Sequence, residues 1–222
     1  MMINAINTCL QEIGHSGLEE GEGPCRTIDP YYVAMRLIEE AQVGDPAKAA
    51  VKMVKYCGAP REWAEKVIEQ AKIGDPAGAA VEIVWCYGSA REWAEEVIEH
   101  AQTGNPAEAA FQMAYFHDSS ILWAERIAER AQLDNPAWAS VSLAHYYGSL
   151  KEWAEGIIER AQIGDPARAA VEMVRCCGSS REWAEGVIEQ AQTGDPARAA
   201  AEMVQYCGSS QTWAENIAAR AQ

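Results

Sequence analysis

Phenylalanine is nearly missing from this chain: there are 2, against 8 Trp and 8 Tyr in 222 residues. An imbalance this large means that a few positions use aromatics repeatedly. Positive charge is also scarce. Lys and Arg together number 18 and Asp and Glu 33, for a net charge of −15. A broad phosphate-binding surface needs the opposite sign, which argues against nucleic acid and against an anionic membrane as partners. No run of about 18 uncharged apolar residues occurs, so no transmembrane helix is expected. The segment Met1–Leu10 lacks a basic stretch followed by a long apolar one and does not read as a signal peptide. The seven cysteines (Cys9, Cys25, Cys57, Cys86, Cys176, Cys177 and Cys207) show no C-x-x-C and no paired Cys/His spacing, so a zinc site has no support. A disulfide framework does not suit a chain of this size, and reduced thiols in a cytoplasm are expected.

What is present is a repeat. Trp63, Trp93, Trp123, Trp153, Trp183 and Trp213 fall at an interval of 30, and so do Pro46, Pro76, Pro106, Pro136, Pro166 and Pro196. Six units run from 31 to 210, and a half unit, 211–222, follows. Units 151–180 and 181–210 differ at only seven of thirty positions, so duplication is their simplest origin. A period in this range signals a stacked array.

Each unit reads as two helices, and residues 89–118 give the pattern. Ser89 followed by Glu92 has capping-box spacing. Helix A is expected over 90–102, with Trp93, Ala94, Val97, Ile98 and Ala101 as a broad apolar stripe. Gly104 is expected to end it in the left-handed conformation. Asn105, which is Asp in most units, is the next N-cap, and Pro106 takes the first helical position, where its missing N–H costs nothing. Helix B then runs to about His117. Gly58, Gly88, Gly148, Gly178 and Gly208 stop helix B in the other units. Helix B is apolar around most of its circumference (Ala79, Ala80, Val81, Ile83, Val84), so it needs cover on more than one side. Stacked hairpins supply that cover. The fold expected is all-α, a right-handed α-solenoid by analogy with other helical-hairpin arrays. The Trp of helix A is expected to fill the gap between units.

Residues 1–30 stand outside the repeat. Met2, Ile3, Ile6, Leu10 and Ile13 form an amphipathic N-terminal cap, and 14–26 a polar, Gly-rich loop. At the other end Ala219 stands where other units have Glu, as at Glu189. Either the array continues beyond it or that face contacts another copy.

Positions constant between units hold the fold, and positions that vary are free for specificity. Helix B has three variable columns. The first is Lys48, Gly78, Glu108, Trp138, Arg168, Arg198. The second is Lys52, Glu82, Gln112, Ser142, Glu172, Glu202. The third is Lys55, Trp85, Tyr115, His145, Arg175, Gln205. Spaced i, i+4 and i+7, they share one helix face. The strip has an aromatic middle (Trp85, Tyr115, Trp138, His145) and cationic flanks (Lys48, Lys55, Arg168, Arg175, Arg198). These residue types are enriched at binding hot spots, and the strip is the expected partner surface. The plainer reading is drift on a solvated face, with Glu172 pairing Arg168 and Arg175.

Helix A carries two Glu columns, Glu65, Glu95, Glu125, Glu155, Glu185, Glu215 and Glu69, Glu99, Glu129, Glu159, Glu189. They are i, i+4 pairs of like charge, mildly unfavourable alone, and read as a solvated face, with an acidic ladder for a basic peptide or for cations as the alternative. His100, His117-Asp118 and Cys176-Cys177 are the only residues with catalytic potential, and nothing in their spacing builds a site. No catalytic residue, metal or cofactor is expected. Unit 121–150 departs most from the pattern, with Leu133-Asp134-Asn135 in place of the Gly turn and Asp118 in place of a C-cap Gly.

At these residues the chain resembles the helical-hairpin repeat superfamily. Ile73-Gly74-Asp75-Pro76 and Ile163-Gly164-Asp165-Pro166 are similar to the inter-helix turn of short HEAT-like repeats of the phycobilisome-lyase type. The Trp of helix A is not part of that pattern, and no Asp-to-Arg ladder is seen. Tetratricopeptide repeats have a longer unit, and their Gly/Tyr signature is missing here. The resemblance implies a scaffold that binds proteins or peptides, and by analogy allows lyase or chaperone work on a tetrapyrrole-bearing partner. The expectation is a non-catalytic scaffold, monomeric or associating end to end. A self-associating structural rod and an accessory lyase are the alternatives.

Overall fold

The computed structural model describes residues 2–15, 29–131 and 135–220. All the regular structure in them is helical. The chain divides into two compact units, residues 1–109 and 110–222. The loop expected over 14–26, Cys25 and the Leu133-Asp134 departure lie wholly or mostly outside the described residues.

The first unit opens with α1 (Met2–Leu10) and a single 3₁₀ turn, Gln11–Ile13. The hairpins follow: α2 (Pro30–Glu39) with α3 (Pro46–Cys57), then α4 (Arg61–Gln70) with α5 (Pro76–Tyr87) and α6 (Arg91–His100). Helix α7 (Pro106–His117) carries the chain into the second unit. There α8 (Ile121–Arg130) pairs with α9 (Pro136–Tyr147), α10 (Lys151–Arg160) with α11 (Pro166–Cys177), and α12 (Arg181–Gln190) with α13 (Pro196–Cys207). Helix α14 (Gln211–Arg220) closes the series. Even-numbered helices from α2 are helix A of their repeat, and odd-numbered ones from α3 are helix B.

Within each unit the B helices pack flank to flank, α3 on α5, and α9 on α11 on α13. The residues that permit this approach are small. Ala49, Ala50, Ala79 and Ala80 are buried in the first unit, and Ala139, Ser140, Ala169, Ala170, Ala199 and Ala200 in the second. One larger side chain per helix fills the space between layers. Ile38, Met53, Ile68, Ile83 and Ile98 do so in the first unit, and Leu143, Ile158, Met173 and Ile188 in the second, each almost fully shielded. Removing such a side chain from water contributes about 1.5–3 kcal/mol, the same gain at each repeat.

The Gly-Asp-Pro turn does more than connect helices. Asp75 Oδ1 accepts the backbone N–H of Gly78 at 3.0 Å and so caps α5. The same oxygen accepts the N–H of Asn105, one repeat onward, at 3.1 Å. Asp45 likewise caps α3 through Lys48 N–H and accepts from Asp75 N–H at 3.2 Å. In the first repeat no Asp precedes, and the Glu12 carbonyl takes the N–H of Asp45 at 2.7 Å. The cap segment therefore supplies by backbone what the next two repeats receive from an Asp side chain.

This corrects the role expected of Gly104. Helix α6 ends at His100 with Ala101 extended, well before Gly104, and it begins at Arg91, so 90–102 overstates it at both ends. Gly104 sits at φ +79°, and a Cβ on it would lie 2.1 Å from Asp75 Oδ1 and 2.7 Å from Asp75 Cα. The glycine is needed because one turn lies on the previous one, a demand set by stacking. Gly164 over Asn135 and Gly194 over Asp165 repeat the approach in the second unit.

The capping box is also corrected. Ala90, not Ser89, is the N-cap of α6, and no side chain caps it. Ser89 is buried and donates its hydroxyl to Glu65 of the preceding repeat. At α12 and α14 a serine does cap, Ser180 for Trp183 N–H and Ser210 for Trp213 N–H. The C-termini of the B helices follow expectation, with Gly58, Gly88, Gly148, Gly178 and Gly208 left-handed. Asp118 takes the equivalent place at φ +55°, the one non-glycine with positive φ among the described residues.

Two outcomes are expected in urea unfolding followed by far-ultraviolet circular dichroism. Asp75→Ala removes a cap and an inter-repeat hydrogen bond and costs about 2 kcal/mol, whereas Asp75→Asn, with the oxygen Asn135 uses for the same cap, costs under about 0.5 kcal/mol. Asp118→Gly relieves the left-handed strain and stabilises by about 0.5–1 kcal/mol.

Candidate functional site

Helix A carries the first feature that the spacing of residues within one repeat conceals. Trp63 donates its indole N–H to Glu39 Oε1 at 2.7 Å, and Trp93 to Glu69 at 2.7 Å. In the second unit Trp153 donates to Glu129 at 2.7 Å, Trp183 to Glu159 at 2.8 Å and Trp213 to Glu189 at 2.8 Å. Each bond spans 24 residues and ties one A helix to the next. The tryptophans are half-buried between repeats, as their gap-filling role requires. The Glu columns are therefore not merely a solvated face. The 69-type column accepts the indoles, and the 65-type column pairs along its own helix, Arg61 with Glu65 at 3.4 Å, Arg91 with Glu95 at 3.5 Å and Arg181 with Glu185 at 3.8 Å. The same arginines reach forward. Arg61 donates to the carbonyl of Gly88 at 3.3 Å and Arg181 to that of Gly208 at 3.1 Å, satisfying the end of the next B helix.

Beneath the Trp93–Glu69 bridge lies a cleft of about 590 Å³ between α4 and α6, lined by Ile68, Lys72, Trp93, Glu96 and His100 among others. A smaller one of about 230 Å³ recurs one repeat earlier, around Ile38, Glu39 and Val67. His100 Nδ1 donates to the Glu96 carbonyl at 2.8 Å on its own helix. Cys176 donates its S–H to Glu172 at 3.6 Å, and burial, with the neighbouring carboxylate, pushes its thiol up. Burial likewise raises Cys177 and holds His117 below its ordinary range, with Asp118 working the other way. Thiols raised in this way are poor nucleophiles at neutral pH.

The variable face of the B helices is the second feature. In the first unit Lys48, Lys55 and Trp85 are exposed, Trp85 by 55%. The two cations have internal partners. Lys48 pairs with Glu12 at 3.3 Å, and Lys55 with Glu82 at 3.8 Å while lying 5.5 Å over the Tyr56 ring. Lys52, in the second column, also pairs with Glu12. Burial works against the Glu12 carboxylate, yet the two lysines hold it below the ordinary carboxylate range.

In the second unit the same face gathers an aromatic cluster. Tyr115 stacks on Phe111 at 5.7 Å and meets Phe116 edge-on at 4.6 Å and Tyr146 at 5.2 Å; Tyr146 is also 4.7 Å from His145. Tyr115, Phe116 and Tyr146 are 47%, 49% and 57% exposed. Further along, Arg168 lies 5.4 Å over Trp138, which is half-buried, and Arg175 lies 4.9 Å over Tyr206. Arg175 also pairs with Glu172 at 2.7 Å and Arg198 with Glu202 at 3.1 Å. Tyr115 with His145, Trp138 with Arg168 and Arg175 with Arg198 thus share the face. Each cationic or aromatic side chain there is steered by a neighbour on its own or the adjacent repeat.

A fourth column escaped the sequence reading. Tyr56, Cys86, Phe116, Tyr146, Cys176 and Tyr206 stand eight residues after the first column, on the same face, and all are exposed. The signal was available at i+8, where four of six units carry an aromatic.

Comparisons of this chain with models of known protein families, with curated proteins and with solved structures found no match. The resemblance to HEAT-like repeats rests on the helical hairpin and its turn.

Removing one end of an indole–carboxylate bridge has a defined signature. Trp153→Phe and Glu129→Ala each destabilise the chain, and their double-mutant cycle in urea unfolding returns a coupling of about 1 kcal/mol. Glu129→Gln, which keeps an acceptor oxygen, returns less than half of that.

Proposed function

We propose that this protein is a non-catalytic repeat scaffold that binds a protein or peptide partner across the exposed face of its B helices, with the aromatic cluster of the second unit as the principal contact. The observation that carries this reading is that cluster. Tyr115, Phe116 and Tyr146 are about half exposed, and Tyr115 meets each of the other two rings edge-on, so binding costs little side-chain entropy in ordering them. Large aromatics held in place at the surface are the residues on which binding energy concentrates. The arginines further along the face, Arg168, Arg175 and Arg198, have their planes fixed by an aromatic or a carboxylate and favour a partner with acidic side chains next to its apolar ones. Lys48, Lys55 and Trp85 extend the same kind of face in the first unit.

Continuing the A-helix bridges into another copy is not favoured by the residues at either end. Such a contact needs an indole at Val33 and a carboxylate at Ala219, and the chain has neither.

The test is a selection of random dodecapeptides on phage against the immobilised protein. Enriched peptides are expected to carry aromatic or aliphatic residues flanked by Asp or Glu. Their capture should fall more than about tenfold with Tyr115→Ala/Tyr146→Ala, while the melting temperature stays within about 3 °C. Capture that survives the double substitution, or is lost instead with Glu155→Ala on helix A, overturns the reading.

A further inference from the structure

Where α1 packs against α3, two thiols meet. Cys9 is fully buried on α1 and donates its S–H to the Ala5 carbonyl at 3.2 Å. Cys57 is the last residue of α3 and is half-buried, so solvent reaches it. The sulfurs of Cys9 and Cys57 lie within hydrogen-bonding reach of one another. The packing of α1 against α3 holds the two thiols side by side. At the homologous place of Cys57 other repeats carry Tyr87, His117, Tyr147, Cys177 and Cys207. Among the described residues α1 packs on the helices of the first repeat, and there a second cysteine faces this column from the cap.

We propose that Cys9 and Cys57 form a redox-operated pair whose disulfide bolts the N-terminal cap helix to the first B helix. The oxidant is a low-molecular-weight disulfide such as oxidised glutathione. The Cys57 thiolate, the more accessible of the two, attacks one sulfur of the oxidant. The oxidant's S–S bond breaks, and one glutathione leaves as a thiolate that takes up the proton Cys57 gave. The Cys9 thiolate then attacks the Cys57 sulfur of this mixed disulfide. The second glutathione leaves and takes up the proton of Cys9. Two protein thiols become one disulfide, and one glutathione disulfide becomes two thiols.

The position gives the bond a consequence. The cap supplies the Glu12 carbonyl to the first turn and the Glu12 carboxylate to Lys48 and Lys52. Cross-linking α1 to α3 holds all of these contacts. Burial pushes the Cys9 thiol up to about 12, with Lys52 working the other way and Glu12 adding to the rise; burial also raises Cys57. The pair is therefore mostly protonated at neutral pH, and its exchange with a low-molecular-weight disulfide is slow.

The experiment uses the full chain, reduced and then incubated with oxidised glutathione. The expected product has lost two hydrogens, yields under non-reducing digestion a peptide joining Cys9 to Cys57, reverts with dithiothreitol and melts about 5 °C or more higher. Cys57→Ser removes the cross-linked peptide and the shift, and Cys176→Ser removes neither. Mapping the unsubstituted chain requires no variant, so it decides the case even where Cys57→Ser fails to fold. A product in which Cys57 carries glutathione while Cys9 remains free to alkylate overturns the proposal. So does a mapped bond between any other two cysteines.

Discussion

A helix with two apolar flanks cannot stand at the edge of a stack, and α5 is of that kind. Ala79, Ala80, Ile83 and Val84 cover more of α5 than a single partner can hide, so a neighbour must come up on each side. The turn then fixes how close that neighbour comes. Asp75 spends one oxygen on its own helix and on the turn of the next repeat, and Gly104 leaves the room that this sharing demands. A Cβ at the glycine, or a side chain without an acceptor at the aspartate, would push successive turns apart and open the flanks that the alanines close. The indole–carboxylate bridges of the A layer and the arginine contacts to the next helix end depend on that same spacing.

Much of this was legible in residue order because the period is strict. Pro106 and His117 mark the ends of α7 as read from punctuation alone, and the left-handed glycines close the other B helices. The misreadings share one cause. Ser89, Gly104 and the 69-type glutamates each have their decisive partner in the adjacent repeat, 24 to 30 residues away. Viewed inside one repeat, Ser89 resembles a cap box, Gly104 a helix stop and the glutamates an unrelieved line of like charges. Single-helix rules supply a plausible local role to each, and the stacked neighbour overrides it.

The surface divides the same way. Exposure of Trp85, Tyr115 and His145 followed from helical spacing, since nothing in their own repeat buries them. What spacing left open was where the cations go. Lys48 turns to Glu12 in the cap and Arg175 to Tyr206 in the following repeat, partners that are distant along the chain. Tyr146 and Phe116 were passed over because cysteines interrupt their column at Cys86 and Cys176, hiding an aromatic run that the helix face makes plain.

The links between repeats have one more property. Asp45 to Asp75 and Glu39 to Trp63 both join a residue of one repeat to a fixed residue of the next, and neither contact skips a repeat. Excision or insertion of whole thirty-residue blocks leaves donors facing acceptors at the new junction, whereas a block whose length is not a multiple of thirty leaves those at the junction misaligned. The molecule's permitted lengths are therefore quantised, like the lengths of a zip fastener, and a genetic slip of one full period is the mildest large lesion it can suffer.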